Sequence, residues 1–133
     1  MDSYEKKSFK GLHVLVVNAN LIDQRLISHL LLQWDVLADV TANGRDALEM
    51  VSTDIYDLVL MGLMMPELDG YETTRAIRAM GGNYFGHLPV YALSCNPDNA
   101  RLTECGFTGS LSGLPLFKEE LQELLLQFMT VHS

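Results

Sequence analysis

Residues 56–72 read Tyr-Asp-Leu-Val-Leu-Met-Gly-Leu-Met-Met-Pro-Glu-Leu-Asp-Gly-Tyr-Glu. The almost wholly apolar run Tyr56–Met61 stops at Gly62, passes through a proline-containing loop and reaches Asp69 and Glu72. Those two are spaced as the reciprocal capping pair of a helix start. A short run that is apolar on both faces suits a strand in the interior of a parallel sheet. The stretch therefore predicts strand, loop and helix, with the helix covering Gly70–Met80.

Upstream the alternation repeats. Leu12–Val17 is a short run rich in β-branched residues and is the first expected strand. Asn20 can cap the helix that follows, with Asp23 three residues on. Ile22, Leu26, His29/Leu30 and Gln33/Trp34 then follow helical spacing to about Asp35. Val36–Ala42 reads as a second strand, Asn43-Gly44 as punctuation, and Ala47, Leu48 and Val51 as one face of a short helix.

Downstream, Gly81-Gly82 breaks the third helix and Leu88–Leu93 gives a fourth strand. Pro97–Cys105 suits a short helix with the proline in its first turn, closed by Gly106. Thr108–Leu111 is a weaker fifth strand. Phe117, Leu121, Leu124, Leu125 and Phe128 share one face of a final helix over Phe117–Met129. Five strand–helix pairs with short connections imply parallel strands, right-handed crossovers and helices on both faces of the sheet.

Composition agrees with one globular domain. The chain has 133 residues, 48% hydrophobic and 20% charged, enough to bury roughly two thirds of its unfolded surface. Residues 1–10, polar with three lysines, read as a flexible lead-in from which only Tyr4 and Phe9 could dock, and residues 11–133 as the domain. A net charge of −8 repels phosphate backbones and anionic lipid, so neither nucleic acid nor a membrane surface is an expected partner. The apolar runs are far shorter than the ~20 residues of a membrane span, and the start lacks a signal-peptide core, which places the domain in the cytoplasm. Cys95 and Cys105 are not spaced as CxxC, and the four histidines are scattered. Reduced thiols, no disulfide and no metal site are expected.

In an open α/β sheet the working crevice lies beyond the carboxyl ends of the strands. That rule selects Asn18 and Ala19 after the first strand, Gly62 after the third, Ser94 after the fourth, and Gly113 and Leu114 after the fifth.

The 56–72 stretch resembles the third-strand signature of response-regulator receivers of bacterial two-component systems, particularly those of hybrid sensor kinases. The likeness runs from about Leu12 to Phe128. Asn43-Gly-Arg-Asp-Ala-Leu48, Ile77-Arg78, Pro89-Val-Tyr-Ala-Leu-Ser94 and Gly106-Phe107 stand in the family's order. The resemblance implies a flavodoxin-like (βα)5 three-layer sandwich with strand order 2-1-3-4-5.

Carried over one residue at a time, it also implies a changed site. The phospho-accepting aspartate belongs where this chain has Gly62. The magnesium-holding acids belong at Asn18 and Ala19, and the phosphoryl-contacting lysine at Leu114, or at Gly113 if one residue is inserted. Only the hydroxyl position is kept, as Ser94. The aromatic that moves with that hydroxyl in the family falls on Ser110, and the segment from Ser94 to Gly106 is about three residues shorter than is common there. Phosphoryl transfer needs a nucleophile and cations to neutralise the equatorial oxygens, and glycine supplies no nucleophile.

The expectation is a pseudo-receiver: no catalysis, no cofactor, and regulation by docking a histidine kinase, phosphotransfer or output domain. Met64 and Met65 beside the pocket, with Ser110, are its candidate partner-facing residues. A different reading gives the emptied crevice to a nucleotide or other metabolite. Among the remaining residues, His29 is expected as a partly buried packing residue, Met61 as core, and Glu119, Glu120 and Glu123 as a solvated face.

Overall fold

The computed structural model describes residues 8–94, 96–112 and 117–132, the last four of these by their backbone. Five strands, β1 (His13–Val17), β2 (Leu37–Thr41), β3 (Leu58–Gly62), β4 (Val90–Leu93) and β5 (Gly109–Leu111), pair in parallel in the order β2-β1-β3-β4-β5. The helices are α1 (Leu21–Gln33), α2 (Gly44–Thr53), α3 (Gly70–Ala79), α4 (Gly82–His87), α5 (Asn99–Cys105) and α6 (Phe117–His132). The expected sheet, order and sandwich are all present.

Alternation along the central strands builds a core on each face. Val14, Val16, Leu58 and Leu60 pack with Ile27 and Leu31 of α1, with Trp34 just past it, and with Leu121 and Leu125 of α6 on one side. Leu15, Val17, Val59 and Met61 pack with Ala47, Val51 and Ile77 of α2 and α3 on the other. Because both faces of β1 and β3 are covered, neither strand alternates apolar with polar, as the sequence runs foretell. Phe9 joins the first core, 1% exposed and edge-on to Trp34. The packed domain therefore begins inside the stretch read as a lead-in.

The caps form as the sequence implies. Asn20 accepts from the Asp23 amide, Asn43 accepts from that of Asp46, and Asp69 with Glu72 makes a complete capping box. Gly106 ends α5 in the left-handed region.

Three expectations need correction, and one helix is added. Gly81-Gly82 follows the end of α3 as expected, both residues at positive φ, but Gly82 also opens an added helix, α4. Tyr84 of α4 accepts a hydrogen bond from the Tyr56 amide (2.8 Å), and Arg78 donates to the carbonyls of Phe85 (2.7 Å) and Gly106 (2.9 Å), so α4 is tied to the strand ends. Pro97 lies ahead of the N-cap Asp98, outside the first turn of α5. Helix α1 buries Ile27 and Leu31, with Trp34 buried just past its end, and leaves Ile22, Leu26 and His29 exposed, because apolar residues on every side of it make the periodicity ambiguous. Glu120 turns inward and accepts from both the amide and the hydroxyl of Ser112 (2.6 and 3.1 Å), while Glu119 and Glu123 are exposed.

Candidate functional site

Parallel strands end together, so the residues following β1, β3 and β4 meet at one edge of the sheet. Gly62 is in register with Leu93, and Val17 with Met61. Asn18, Ala19, Gly62 and Ser94 accordingly line one cleft of about 440 Å³, joined by Asp23 from α1 and by Met64. Gly113 and Leu114 lie outside the described residues. Ser110 is exposed on the edge strand β5 and is not among the cleft's lining residues.

The floor is defined by main chain. Asn18 donates its amide to Thr41 O (3.0 Å), its Oδ1 accepts from the Asn20 amide (2.8 Å), and the Gln24 side chain donates to its carbonyl. Asn18 is thus committed to holding the β1–α1 loop. A Cβ at Gly62 would stand 3.1 Å from Val17 O and 3.4 Å from Asn18 Cα, so the β3 end and this loop are packed for a residue without a side chain. Behind them, a Cβ at Gly70 would fall 2.3 Å from Gly62 O. Only glycine lets the first turn of α3 press so closely on the β3 end, where Gly70 N donates to Leu63 O (3.0 Å).

These residues do not fit a magnesium ion. The side chains of Ala19 and Gly62 offer no ligand atom, and Asn18 Oδ1 is already engaged. Among the described residues no three His, Cys, Asp or Glu side chains are grouped as metal ligands. Magnesium dehydrates reluctantly and is held through carboxylates, and Asp23 is the single carboxylate among the described residues lining this cleft.

Ser94 is a strand-end hydrogen-bonder, donating its amide to Leu111 O (3.1 Å) and accepting at Oγ from the Asn96 amide (3.2 Å). On its far side a second groove, of about 600 Å³, runs between the β3–α3 and β4–α5 loops. Arg101 lies 4.1 Å from the centre of the Tyr71 ring, with Nη2 3.8 Å from Asp69 Oδ2. Met64 is 89% exposed at the lip shared by the two openings, whereas Met65 is half-buried against the α2–α3 core. Met61 is fully buried. Sequence reasoning missed Asp23, Tyr71 and Arg101. The available signal was their place on helices α1, α3 and α5, whose first turns follow strands and so face the same edge.

The opposite edge of the sheet holds a hydrogen-bonded cluster. Asp39 Oδ2 accepts from the Tyr56 hydroxyl (2.8 Å) and lies 2.9 Å from His13 Nε2, while His13 Nδ1 lies 3.0 Å from Ile55 O. The Tyr56 hydrogen bond, followed by His13, holds the Asp39 carboxyl below its ordinary value against the opposing effect of burial. Burial, then the Asp39 carboxylate, pushes the Tyr56 hydroxyl well up. Asp57 accepts from the His13 amide (2.9 Å) at this same edge, remote from Gly62.

The chain belongs to the response regulator receiver domain family, whose model matches residues 14–123. It is 29% identical over 141 aligned residues to a probable histidine kinase 4 of Oryza sativa subsp. japonica, covering 90% of this chain and 14% of that protein. It is 40% identical over 106 residues to a protein-glutamate methylesterase/protein-glutamine glutaminase of a Nocardioides strain, with coverages of 78% and 26%. Among solved structures, the receiver domain of a sensor histidine kinase from Pseudomonas aeruginosa PAO1 superposes with a TM-score of 0.78 at 30% identity. That match covers 88% of this chain and 96% of that one, and the Pseudomonas domain has magnesium coordinated in its active-site cleft. The chain thus has the fold of a two-component receiver and spans a small part of these curated relatives. No described helix is long and apolar enough to cross a membrane.

Proposed function

We propose that this receiver regulates by docking a protein partner, without being phosphorylated and without catalysing a reaction. The carrying observation is the cleft floor: Gly62 offers no nucleophile, Ala19 no ligand, and the Asn18 side-chain oxygen is spent on the Asn20 amide. A phosphoryl group placed there would meet neither a metal held by carboxylates nor an acceptor. The partner is a histidine kinase, a phosphotransfer domain or an output domain acting in the cytoplasm. Receivers within kinases, as in the rice relative, support that class. Exposed Met64 offers the partner an adaptable apolar contact.

The test is the affinity for the histidine kinase and phosphotransfer domains of the source organism, measured with and without magnesium and a small phospho-donor. The expected affinity is the same in both conditions and falls with Met64→Glu. Binding that appears or vanishes only with the donor would contradict the reading.

A further inference from the structure

The Asn18–Ser94 cleft does not end at α1. It opens into a more apolar cavity of about 490 Å³ between α1 and α6, and Asn18, Asp23, Leu93 and Ser94 line both spaces. The volume lies within the roughly 300–1,000 Å³ of small-molecule sites. Leu26, Leu30 and Phe117 wall the apolar part.

The acceptor atoms at the junction are engaged, and its side-chain donor hydrogens remain to offer. Asn18 is 9% exposed and its Oδ1 is engaged by the Asn20 amide, which leaves the Nδ2 hydrogens as the group it can offer to the cavity. The Ser94 hydroxyl accepts from Asn96 and has its own hydrogen to donate. At the rim stand two opposite charges, Asp23 on α1 and Lys118 on α6. Both side chains are exposed. The remaining titratable side chain of the lining, His29, is exposed.

A phosphate would be repelled by Asp23, and a plain hydrocarbon would leave the Asn18 and Ser94 donors unmet. A head carrying both charges, on an apolar body, satisfies every group at once. We propose that this cavity binds a free α-amino acid with an apolar side chain. Lys118 takes the carboxylate and Asp23 the ammonium group. Asn18 Nδ2 and Ser94 Oγ donate to the carboxylate oxygens, and the side chain lies against Leu26, Leu30 and Phe117. The site is independent of partner docking, because binding is read on the isolated chain without a partner.

The test is calorimetric and NMR titration of the full chain with leucine and phenylalanine, and with 3-phenylpropanoate and phenethylamine, which each lack one charge. Leucine and phenylalanine are expected to bind and to shift the Asn18 and Ser94 amide signals. Removing either charge from the ligand, or making Lys118→Met or Asp23→Asn, should weaken binding by about tenfold or more, the equivalent of one charge-assisted hydrogen bond. Asp23→Asn keeps the backbone amide that Asn20 caps, and circular dichroism of each variant establishes its fold. Absence of binding by both amino acids at millimolar concentration would overturn the assignment, as would equal binding by 3-phenylpropanoate.

Discussion

The two edges of the sheet have been built by different rules. At the amino-terminal edge His13, Asp39, Tyr56 and Tyr84, from β1, β2, the approach to β3 and α4, join in a continuous set of hydrogen bonds. At the carboxyl edge the residues at the strand ends, Asn18, Ala19, Gly62 and Ser94, are small and neutral, and the backbone is tightly bonded around Gly62. Polar groups satisfied by one another stabilise a fold, whereas polar groups that line an open cleft can serve a ligand or partner. The comparison assigns stability to the first edge and recognition to the second.

Substitutions break the comparison in a definite order. Tyr56 is 2% exposed and shares both the core and the Asp39 bond, so Tyr56→Ala should cost about 3–5 kcal/mol of unfolding free energy in denaturant titrations. Asp39→Ala leaves the buried Tyr56 hydroxyl without its acceptor and should cost about 1–3 kcal/mol by the same measurement. Gly62→Ala forces Val17 and Asn18 back by a few tenths of an ångström and should cost on the order of 1 kcal/mol. Ala19→Asp, exposed at the recognition edge, should change stability by less than about 0.5 kcal/mol. A larger effect from Ala19→Asp than from Asp39→Ala would reverse the assignment of roles.

Acid sharpens the same contrast. The Asp39 carboxyl is held below its ordinary value of 3.8, so between the two values the folded chain binds fewer protons than the unfolded one. Its contribution is complete above 3.8 and is lost as pH falls through the lowered value. A pH series of melting temperatures should therefore show a decline at the acid end that is smaller in Asp39→Asn. The group is partly exposed, so salt should blunt the difference.

Much of this was legible in the chain. Strands buried on both faces announce themselves as unbroken apolar runs, and Leu12–Val17 and Tyr56–Met61 place β1 and β3 within two residues. Asn18, Ala19, Gly62 and Ser94 could be named together because parallel topology makes strand ends neighbours. Helix α4 was hidden: a pair of glycines reads as a break, and its hold on the strand ends comes from Tyr84 and Arg78 at long range. The facing of α1 was hidden too, since apolar residues surround that helix. Glu120 looked like surface because nothing local foretells its bonds to Ser112. Lys118 and Asp23 enter the carboxyl edge from separate helices, a convergence that only the tertiary structure supplies.

The most direct test of the central claim is the intact mass of the chain after incubation with magnesium and a small phospho-donor, beside a receiver that retains its aspartate. The account predicts an unchanged mass here while the control gains a phosphoryl group. One added phosphoryl group on this chain, at any residue, would contradict it.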